Sequence, residues 1–370
     1  MMPAVDATGM TVNLDRFGAP SYRLNTASAF AVEVDVRGED MRLLREERKL
    51  SQPDFAAWLN ERLERRYDRS KISRWESNSE KIPDAVVRFL LKETAVVDGK
   101  HGPALVICLA NQKGGVGKTT CTVNTASILA REGYRVLIID ADPQANATAH
   151  LGIDLIEYEE GRRKSLAHVL REEVAVEDIV VPVGDIGLEI APSSIELASV
   201  EVELTADPSG PMALRERLQD AREAYDFIFI DCPPNLGQCT ANGLVASDVI
   251  VIPCQTEYLS SIGVNHLLKT INKLKRRCHP SLAVLGILPT MHNARLNQHQ
   301  VTLEQLHSAL GSTLRIFPPV PRATIYGDAA LAGRAALEAV PDAPGASSYR
   351  ALADAIAVER RKRVEVANVA

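Results

Sequence analysis

The segment of this chain most able to do chemistry is Gly-Gly-Val-Gly-Lys-Thr-Thr at residues 114–120, shortly after the apolar stretch 104–109. Its three glycines let backbone N–H groups curve around phosphate oxygens without Cβ clashes, and a helix beginning near Lys118 adds its positive N-terminal end. In such a loop the lysine contacts phosphates, and the hydroxyl of Thr119 can hold Mg²⁺. We therefore expect this loop to bind a nucleoside triphosphate. The predicted nucleotide-binding residues are Gly114, Gly115, Val116, Gly117, Lys118, Thr119 and Thr120.

The loop differs from the general pattern on its N-terminal side. Gln112 stands where glycine is usual, and Lys113, at a position where the pattern makes no demand, supplies a second lysine. A second cation can stabilise the charge that grows on a transferred phosphoryl group. The alternative is a loop lysine that simply faces solvent.

Two further apolar runs end in carboxylates. Residues 227–230 lead into Asp231, and residues 136–139 lead into Asp140 and Asp142, whose spacing puts both side chains on one side of an extended backbone. An acid at a strand end either caps the strand or accepts hydrogen bonds from Mg²⁺-bound water, as phosphoryl transfer requires. We expect Asp140 or Asp142 to orient the attacking water. The predicted metal ligands are Thr119, Asp140 and Asp231.

Apolar runs of strand length alternate with helical stretches after residue 103. Runs that are apolar on both faces are typical of a parallel sheet covered by helices. We predict an α/β fold with a mostly parallel P-loop NTPase sheet. Such sheets bind ligands at the carboxyl ends of their strands, where the loop and the three aspartates fall. The predicted strands are 104–110, 135–141, 226–231, 248–253 and 282–288.

The first hundred residues follow a different pattern. Helical periodicity begins at Asp40, and residues 41–100 carry fourteen lysines and arginines against eleven acidic residues, in a chain of formal net charge −6. Turn residues without apolar periodicity then indicate a linker. The predicted divisions are an arm over 1–39, a small all-α domain over 40–96, a linker over 97–103, the nucleotide-binding domain over 104–358 and a basic tail over 359–370.

Composition limits the class of protein. No apolar run approaches the roughly 20 residues of a membrane span, and the N-terminus has no signal-peptide core, so we expect a cytoplasmic protein without membrane association. The acidic balance argues against a uniformly basic nucleic-acid-binding surface and leaves DNA contacts to local patches. The six cysteines lack CxxC pairs, which predicts reduced and mostly buried thiols.

Three segments together resemble those of the ParA/MinD family of partition ATPases. They are KGGVGKTT at 113–120, IIDADPQ at 138–144 and FIFIDCPP at 227–234, and the similarity extends from about residue 104 to about residue 358. Residues 251–258 resemble a further ParA segment. The resemblance implies ATP hydrolysis, with ATP or ADP and Mg²⁺ as cofactors.

The resemblance also implies roles for individual residues. Lys118 would bind the β- and γ-phosphates, Thr119 would ligate Mg²⁺, and Asp142 would position the hydrolytic water. Lys113 would cross the interface of an ATP-sandwich homodimer to the partner's nucleotide. The implied catalytic residues are thus Lys113, Lys118 and Asp142, and the implied adenine contacts are Met291 and Pro321.

Residues 50–59 and 69–76 resemble the helix-turn-helix of phage-repressor-like regulators, through Leu-Ser-Gln and Ile-Ser-Arg-Trp-Glu. The intervening stretch 60–68 is longer than the usual tight turn. The segment is either a DNA-binding domain or a three-helix interaction module with solvated charges. The predicted DNA contacts are Gln52, Lys71, Ser73 and Arg74.

A second DNA surface is implied on the nucleotide-binding domain. Arg295 lies in a segment, 289–295, that resembles the one carrying a DNA-contacting arginine in ParA proteins. The family's other arginine corresponds to Ile325 here. The basic run 273–277 is either an alternative phosphate contact or a solvated helix end.

The leading hypothesis is a larger ParA-type partition ATPase associated with the nucleoid. Its ATP-bound homodimer would hold DNA nonspecifically, and a ParB-like centromere-binding partner would stimulate hydrolysis and release it. Its N-terminal domain would bind an operator and autoregulate the partition operon. One alternative is an ATP-sensing transcriptional regulator. The other is a MinD-like membrane-positioning ATPase, which needs a C-terminal amphipathic helix with bulky apolar residues that 351–370 lack.

Overall fold

The computed structural model describes residues 38–63, 65–83, 86–87, 89–90, 102–257 and 260–369. The predicted arm up to residue 37 and the predicted linker up to residue 101 lie outside the described residues. The chain divides into two compact units, residues 1–101 and 102–370.

The described residues of the N-terminal unit include helices α1 (Gly38–Glu47), α2 (Gln52–Leu63) and α3 (Arg69–Glu76), and residues 86–87 and 89–90 are also helical. Phe55 and Leu59 of α2 and Ile72 and Trp75 of α3 are completely buried, on the faces that periodicity predicts. Asp68 caps α3 by accepting a hydrogen bond from the backbone of Lys71 at 2.8 Å. Apolar burial between the helices therefore holds this unit together.

The long connection between α2 and α3 has its own support. The Asn60 side chain donates to the Tyr67 carbonyl at 2.8 Å and accepts from the Tyr67 N–H at 2.6 Å. One side chain thus satisfies both backbone groups of a residue in the connection. Helix α2 continues into this stretch as far as Leu63, and the Asn60 side chain ties the helix to Tyr67 near the start of α3.

The C-terminal unit is built on a seven-stranded sheet in the order β3-β4-β2-β5-β1-β6-β7. Neighbouring strands are parallel except for β3 and β4. The five predicted strands agree with the observed ones to within two residues, whereas β3 and β4 are too short for an apolar pattern to reveal. The strands are β1 (Leu105–Leu109), β2 (Val136–Asp140), β3 (Val181–Val183), β4 (Leu188–Ala191), β5 (Phe227–Asp231), β6 (Val249–Gln255) and β7 (Ala283–Thr290).

Helices cover both faces of this sheet, as the two-faced apolar runs require. The predicted α/β fold with a mostly parallel P-loop NTPase sheet is confirmed. None of the described helices is both long enough and apolar enough to cross a membrane. The helices are α4 (Lys118–Arg131), α5 (Asn146–His150), α6 (Ile156–Glu159), α7 (Leu166–Leu170), α8 (Leu197–Ala206), α9 (Ala213–Arg217), α10 (Gln219–Ala224), α11 (Gln238–Ala246), α12 (Ser260–Arg277), α13 (Asn297–Leu310), α14 (Ile325–Leu331), α15 (Ala336–Ala339) and α16 (Ala346–Val369).

Strand register brings the chemically active segments to one edge. Leu109 at the end of β1 pairs with Asp231 at the end of β5, and Asp231 pairs with Asp140 at the end of β2. β1 and β5 are buried along their whole length. Burial of both faces leaves the strand ends as the place where polar side chains can meet.

The cysteines behave as predicted. All six fall within the described residues and are free thiols, five of them buried. The sulfur atoms of Cys108 and Cys232 lie 3.3 Å apart inside the sheet. The hydrogen bond with the Cys108 thiol, together with burial, raises the pKa of Cys232, which favours its protonated form.

The structure corrects the predicted C-terminal boundary. Helix α16 continues through residue 358 to Val369, so its first residues beyond 358 are not a separate tail. Arg360 is buried and pairs with buried Asp226 at 2.8 Å, at the start of β5. This buried ion pair fixes the helix to the sheet. The basic character of the segment alone does not predict such a contact.

This pair generates a stability prediction. Arg360→Ala leaves the Asp226 charge buried beside fewer compensating groups, which should lower the free energy of unfolding by about 3 kcal/mol. Arg363→Ala removes a more exposed cation, 3.6 Å from Asp248, and should cost at most about 1 kcal/mol. Urea denaturation of both variants measures the difference. Equal midpoints for Arg360→Ala and the unchanged chain would contradict the assignment.

Candidate nucleotide-binding site

The loop between β1 and α4 has the backbone shape of a phosphate cradle. Gly115 and Gly117 adopt φ values of +71° and +84°, a left-handed region that costs other residues roughly 1–2 kcal/mol. A Cβ atom at either position would meet no atom within 4 Å, so open space lies over the loop. Glycine is required at these two positions by conformation, and the cradle has room for phosphate.

Gly114, the first glycine of the loop, has a different backbone conformation from the two later ones. Gly114 is exposed and does not adopt a left-handed φ, and a Cβ atom there would lie 3.6 Å from the Pro234 side chain, an ordinary contact distance. Backbone conformation therefore requires glycine at the two later positions and not at Gly114, where the chain is not left-handed. Contact between the Gly114 N–H and phosphate stays a prediction.

Thr120 is the last residue of the predicted loop. It is half-buried in the first turn of α4, and its carbonyl accepts a hydrogen bond from the Asn124 side chain at 2.8 Å. Backbone N–H groups in the first turn of a helix have no partner within the helix, which leaves that of Thr120 suited to an anion. Its contact with nucleotide stays a prediction.

Lys118 is the first residue of α4 and is only 7% exposed. Burial lowers the pKa of Lys118, while the nearby carboxylates of Asp231 and Asp142 raise it. A largely desolvated ammonium group beside the start of a helix interacts strongly with an anion that enters the cradle. This position agrees with the predicted contact to phosphate.

Thr119 and Asp231 form the core of the predicted metal site. The Thr119 hydroxyl donates to one Asp231 carboxylate oxygen at 2.6 Å, and the Thr122 hydroxyl lies 3.1 Å from the other. Burial raises the pKa of Asp231 to about 6, against the opposing effect of these two hydrogen bonds. A cation at this point would stabilise the ionised carboxylate.

The donor set fits Mg²⁺ bound together with a nucleotide. Among the described residues, no group of three or more His, Cys, Asp or Glu side chains could hold a metal ion. Mg²⁺ at phosphate sites uses one or two protein oxygens and takes its remaining ligands from phosphate and water. A hydroxyl and a carboxylate beside an open phosphate cradle meet that requirement.

Asp140 is placed differently from a typical ligand. One carboxylate oxygen accepts from the Thr148 N–H and hydroxyl at 2.8 and 2.7 Å, and the other accepts from the Asp142 N–H at 3.2 Å. Burial, followed by repulsion from Asp231, raises the pKa of Asp140 to about 7. The geometry favours a role in holding the Asp142 loop, and ligation of Mg²⁺ by Asp140 stays a prediction.

Asp142 is the other candidate for positioning water. It is 5% exposed and accepts a hydrogen bond from the Gln144 N–H at 3.0 Å. Its charge acts on Lys118, which places it beside the cradle. The predicted catalytic role of Asp142 is compatible with this position.

Lys113 lies at the exposed side of the loop. Its ammonium group forms an ion pair with Glu257, just beyond β6, and the two side chains are 46% and 51% exposed. Lys113 is therefore half-exposed, with Glu257 as its partner within its own chain. Exposed pairs of this kind contribute only about 0–1 kcal/mol, so the lysine can exchange its partner at little cost.

The two predicted adenine contacts lie close together. His292, which follows Met291, forms a parallel bridge with Pro321. The Met291 sulfur accepts a hydrogen bond from Gln255, whose side chain also reaches the Gly115 carbonyl. Met291 and Pro321 thus flank the cradle, and their contact with adenine stays a prediction.

Several residues at the site carried no prediction. Gln255 and Thr290 contact the glycine-rich loop, Glu257 holds Lys113, and Thr122 supports Asp231. Gln255, Glu257 and Thr290 lie at or just beyond strand ends, which in parallel sheets gather around ligands, and the first two also lie in the segment that resembles ParA proteins. Of the segment 251–258 that resembled ParA proteins, residues up to 257 are described.

The predicted DNA contacts of the N-terminal unit are mostly engaged within that unit. Gln52 donates to Glu76 at 2.8 Å, and Lys71 and Arg74 both pair with Glu80. Ser73 of α3 is exposed. Three of the four side chains thus have acidic partners on or after α3, and their contact with DNA stays a prediction.

The two candidate DNA surfaces of the C-terminal unit lie at opposite edges of the sheet. Arg295 is exposed in the loop after β7, on the edge that carries the cradle. The basic run 273–277 ends α12, which leads back to the start of β7. Helix α12 has 18 residues and is about 27 Å long, and the basic run occupies its last turns, at the end that leads to the start of β7.

Helix α12 presents a concentrated positive charge. Residues 260–277 contain no acidic residue, and within the part of the chain that the structure describes none of the five cations forms an ion pair. Most line one open depression along the helix. The five cations are Lys269, Lys273, Lys275, Arg276 and Arg277.

The parallel sheet, the cradle after β1, the Thr119–Asp231 pair and the second lysine define a P-loop nucleoside triphosphatase. Residues 104–284 match the AAA domain family. The chain is 39% identical over 250 residues to the chromosome-partitioning ATPase Soj of Thermus thermophilus, covering 68% of this chain and 94% of that protein. It is 35% identical over 274 residues to the chromosome partitioning protein ParA of Caulobacter vibrioides, covering 72% and 98%.

Among solved structures, the fold matches cobyrinic acid a,c-diamide synthase from Mycobacterium smegmatis with a bound ATP analogue and magnesium. The TM-score is 0.58 and the sequences are 32% identical, over 68% of this chain and 93% of that one. The chain belongs to the ParA/MinD-type family of partition ATPases and is an ATP hydrolase. The predicted cofactors, ATP or ADP with Mg²⁺, match the ligands of the homologous structure.

The buried Asp140 carboxylate predicts a pH-dependent stability effect. Its pKa in the folded chain, about 7, lies above the usual value of 3.8, so the folded state binds more protons and loses stability as pH rises between these values. Asp140→Asn mimics the protonated form. Without nucleotide, this variant should melt at least about 2 °C above the unchanged chain at pH 8, and the difference should shrink as the pH falls toward 3.8. Equal melting temperatures at pH 8 would contradict the effect.

Proposed function

We propose that this chain is a ParA-type partition ATPase that dimerises around ATP and holds DNA nonspecifically while ATP is bound. The position of Lys113 carries this proposal. It lies at the start of the phosphate loop, is half-exposed and forms an exposed ion pair with Glu257. A second cation that is accessible from outside the chain can reach a nucleotide bound by another copy of the chain.

The groups at the site have separate proposed roles. The loop N–H groups and buried Lys118 bind the phosphates, and Thr119 with Asp231 would hold Mg²⁺, which neutralises charge on the phosphate oxygens when bound. Asp142 orients the attacking water. Lys113 of the partner subunit stabilises the charge that develops on the transferred phosphoryl group.

Dimer formation is favoured by an exchange of partners for Lys113. Its pair with Glu257 is exposed and contributes about 0–1 kcal/mol. The triphosphate of a second chain carries several negative charges, and closure of two subunits around it excludes water and strengthens the attraction. ATP therefore favours the paired state, whereas ADP lacks the γ-phosphate that the lysine would contact.

Helix α12 is the main support for DNA binding. Its last nine residues carry five cations that have no ion-pair partner among the described residues, in a chain whose net charge is −6. Contacts between such cations and phosphate are independent of sequence and weaken with salt. Arg295 forms a second proposed contact at the other edge of the sheet.

The proposed switch follows from linkage. A dimer presents two copies of the α12 surface to one DNA molecule, so it binds more tightly than a single chain. ATP can change DNA affinity only through a differential effect on the two states, and dimer formation supplies that difference. A ParB-like centromere-binding partner that stimulates hydrolysis then releases the DNA.

The N-terminal unit is proposed to bind operator DNA and to autoregulate the partition operon. Helix α3 presents exposed Ser73, and its cations Lys71 and Arg74 are paired with Glu80. DNA phosphates would have to replace Glu80 as their partner. The side chains involved are partly exposed, so this exchange costs little.

The central test compares Lys118→Ala with the unchanged chain in a filter-binding assay on nonspecific DNA. The variant lacks the buried cation of the cradle and should lose both ATP binding and ATP-dependent retention of DNA. Lys164→Ala removes an exposed lysine that is paired with Glu173 at 3.4 Å, and it serves as the control with normal retention. Circular dichroism checks that both variants fold.

Full salt-sensitive DNA retention by Lys118→Ala with ATP present would overturn the proposed mechanism. Retention that ignores ATP in every variant would instead favour a transcriptional regulator in which nucleotide is only sensed. Measuring ATP turnover with and without DNA and the product of the adjacent gene separates the two functions, because partition requires strong stimulation by both.

The DNA surface is tested by the salt dependence of binding. Each phosphate contact contributes about 0.9 to the slope of log K against log salt concentration. The double variant Lys273→Gln/Arg276→Gln should lower the slope by about 2, and Arg295→Gln by about 1, with Lys164→Gln as the unchanged control. Unchanged slopes in both test variants would exclude these surfaces.

A further inference from the structure

Two carbonyl groups of the phosphate loop are held by side chains from strand ends. The Thr290 hydroxyl, at the end of β7, donates to the Val116 carbonyl at 2.8 Å. The Gln255 amide, at the end of β6, donates to the Gly115 carbonyl at 2.9 Å. Both donors lie more than 130 residues from the loop in sequence, so the fold itself delivers them.

These contacts fix the orientation of loop N–H groups. In a trans peptide, the C=O of one residue and the N–H of the next share a plane and point in opposite directions. A donor that holds the Val116 carbonyl on one side therefore directs the Gly117 N–H to the other side. Likewise, the bond from Gln255 to Gly115 sets the direction of the Val116 N–H.

Without these donors, the loop peptides would rotate more freely. Glycine flanks Val116 on both sides, and glycine has the lowest barrier to changes in φ and ψ. Phosphate binding would then have to order the peptide planes at an entropic cost. Donors that order the planes in advance remove that cost before the nucleotide arrives.

The two donors should differ in strength. Thr290 is 3% exposed and its bond to Val116 is buried, so loss of the hydroxyl leaves a carbonyl without its buried partner. The bond from Gln255 to Gly115 is exposed, and water can replace the amide. Gln255 also donates to the Met291 sulfur at 3.0 Å, which ties the predicted adenine contact to the loop.

We propose that Thr290 is a positioning residue for nucleotide binding, assisted by Gln255, which acts by holding the Val116 and Gly115 carbonyls so that the loop N–H groups face phosphate. The inference rests on the nucleotide site of the proposed function and extends it to side chains that do not touch the nucleotide. It predicts an effect on affinity that depends on one hydroxyl group.

Thr290→Val and Thr290→Ser form the matched test. Valine keeps the shape and strand preference of threonine but has no donor, whereas serine keeps the hydroxyl. With Mg²⁺ present, Thr290→Val should raise the Kd for ADP and for ATP about five- to tenfold, and Thr290→Ser should stay within about twofold. Calorimetric titration of the full chain gives both constants.

A second measurement separates positioning from general damage. Without nucleotide, Thr290→Val should melt lower than Thr290→Ser, because its Val116 carbonyl has lost a buried donor, and its further rise on adding saturating Mg²⁺-ADP should be smaller. Gln255→Met, at a half-buried position, should raise the Kd about threefold, less than Thr290→Val does, because its bond is exposed.

The inference is overturned if Thr290→Val binds nucleotide within about twofold of the unchanged chain, or if serine weakens binding as much as valine. Should valine fail to fold, a normal Kd for Gln255→Met together with weakened binding by Thr290→Ser would also overturn it. Absence of nucleotide binding by the unchanged chain would contradict the proposed function instead, so the two failures are distinguishable.

Discussion

The site depends on one hydrogen bond, 2.6 Å long, from the Thr119 hydroxyl to the Asp231 carboxylate. It joins the first turn of α4 to the last residue of β5, so the glycine-rich loop before α4 has fixed positions at both ends. Leu109 ends β1 in register with Asp231, which sets where the loop begins. Phosphate, metal and water-positioning groups can converge only because the helix start and the strand end meet at this bond.

The same arrangement gathers buried charged groups at the site. Asp140 and Asp231 are paired in register, and both are fully buried. Burial raises the pKa of each carboxyl group. Hydroxyl donors or a cation beside either carboxylate would stabilise its ionised form. Lys118 is buried near them, and an anion in the cradle would stabilise its ammonium group. A magnesium nucleotide brings a cation to the carboxylates and an anion to Lys118, so its binding stabilises buried charges of both signs.

The sequence alone predicts the loop, the five central strands and the three aspartates, because buried parallel strands and phosphate loops have recognisable local sequence patterns. It could not tell that Gly114, unlike the two later glycines, lacks a left-handed backbone, since φ is set by the folded loop. Nor could it find the Thr290 and Gln255 contacts, which join residues more than 130 positions apart. The roles assigned to Lys113, Asp142 and the DNA contacts remain predictions.

The C-terminal boundary shows the same limit. Sequence reasoning ended the domain at residue 358, because the sequence shows that Arg360 is basic but not that it lies against buried Asp226. Charge is a local property of the sequence, whereas burial depends on what the fold brings alongside.

The claim that hydrolysis requires two chains is tested most directly by mixing two inactive variants, Lys113→Ala and Asp142→Ala. If Lys113 acts on the partner's nucleotide, a mixed dimer contains one complete site, formed by Asp142 of one chain and Lys113 of the other. Mixing equal amounts should then restore about a quarter of the ATPase rate of the unchanged chain, since half of the dimers are mixed and each has one of two sites active. A mixture no more active than the separate variants would contradict the account.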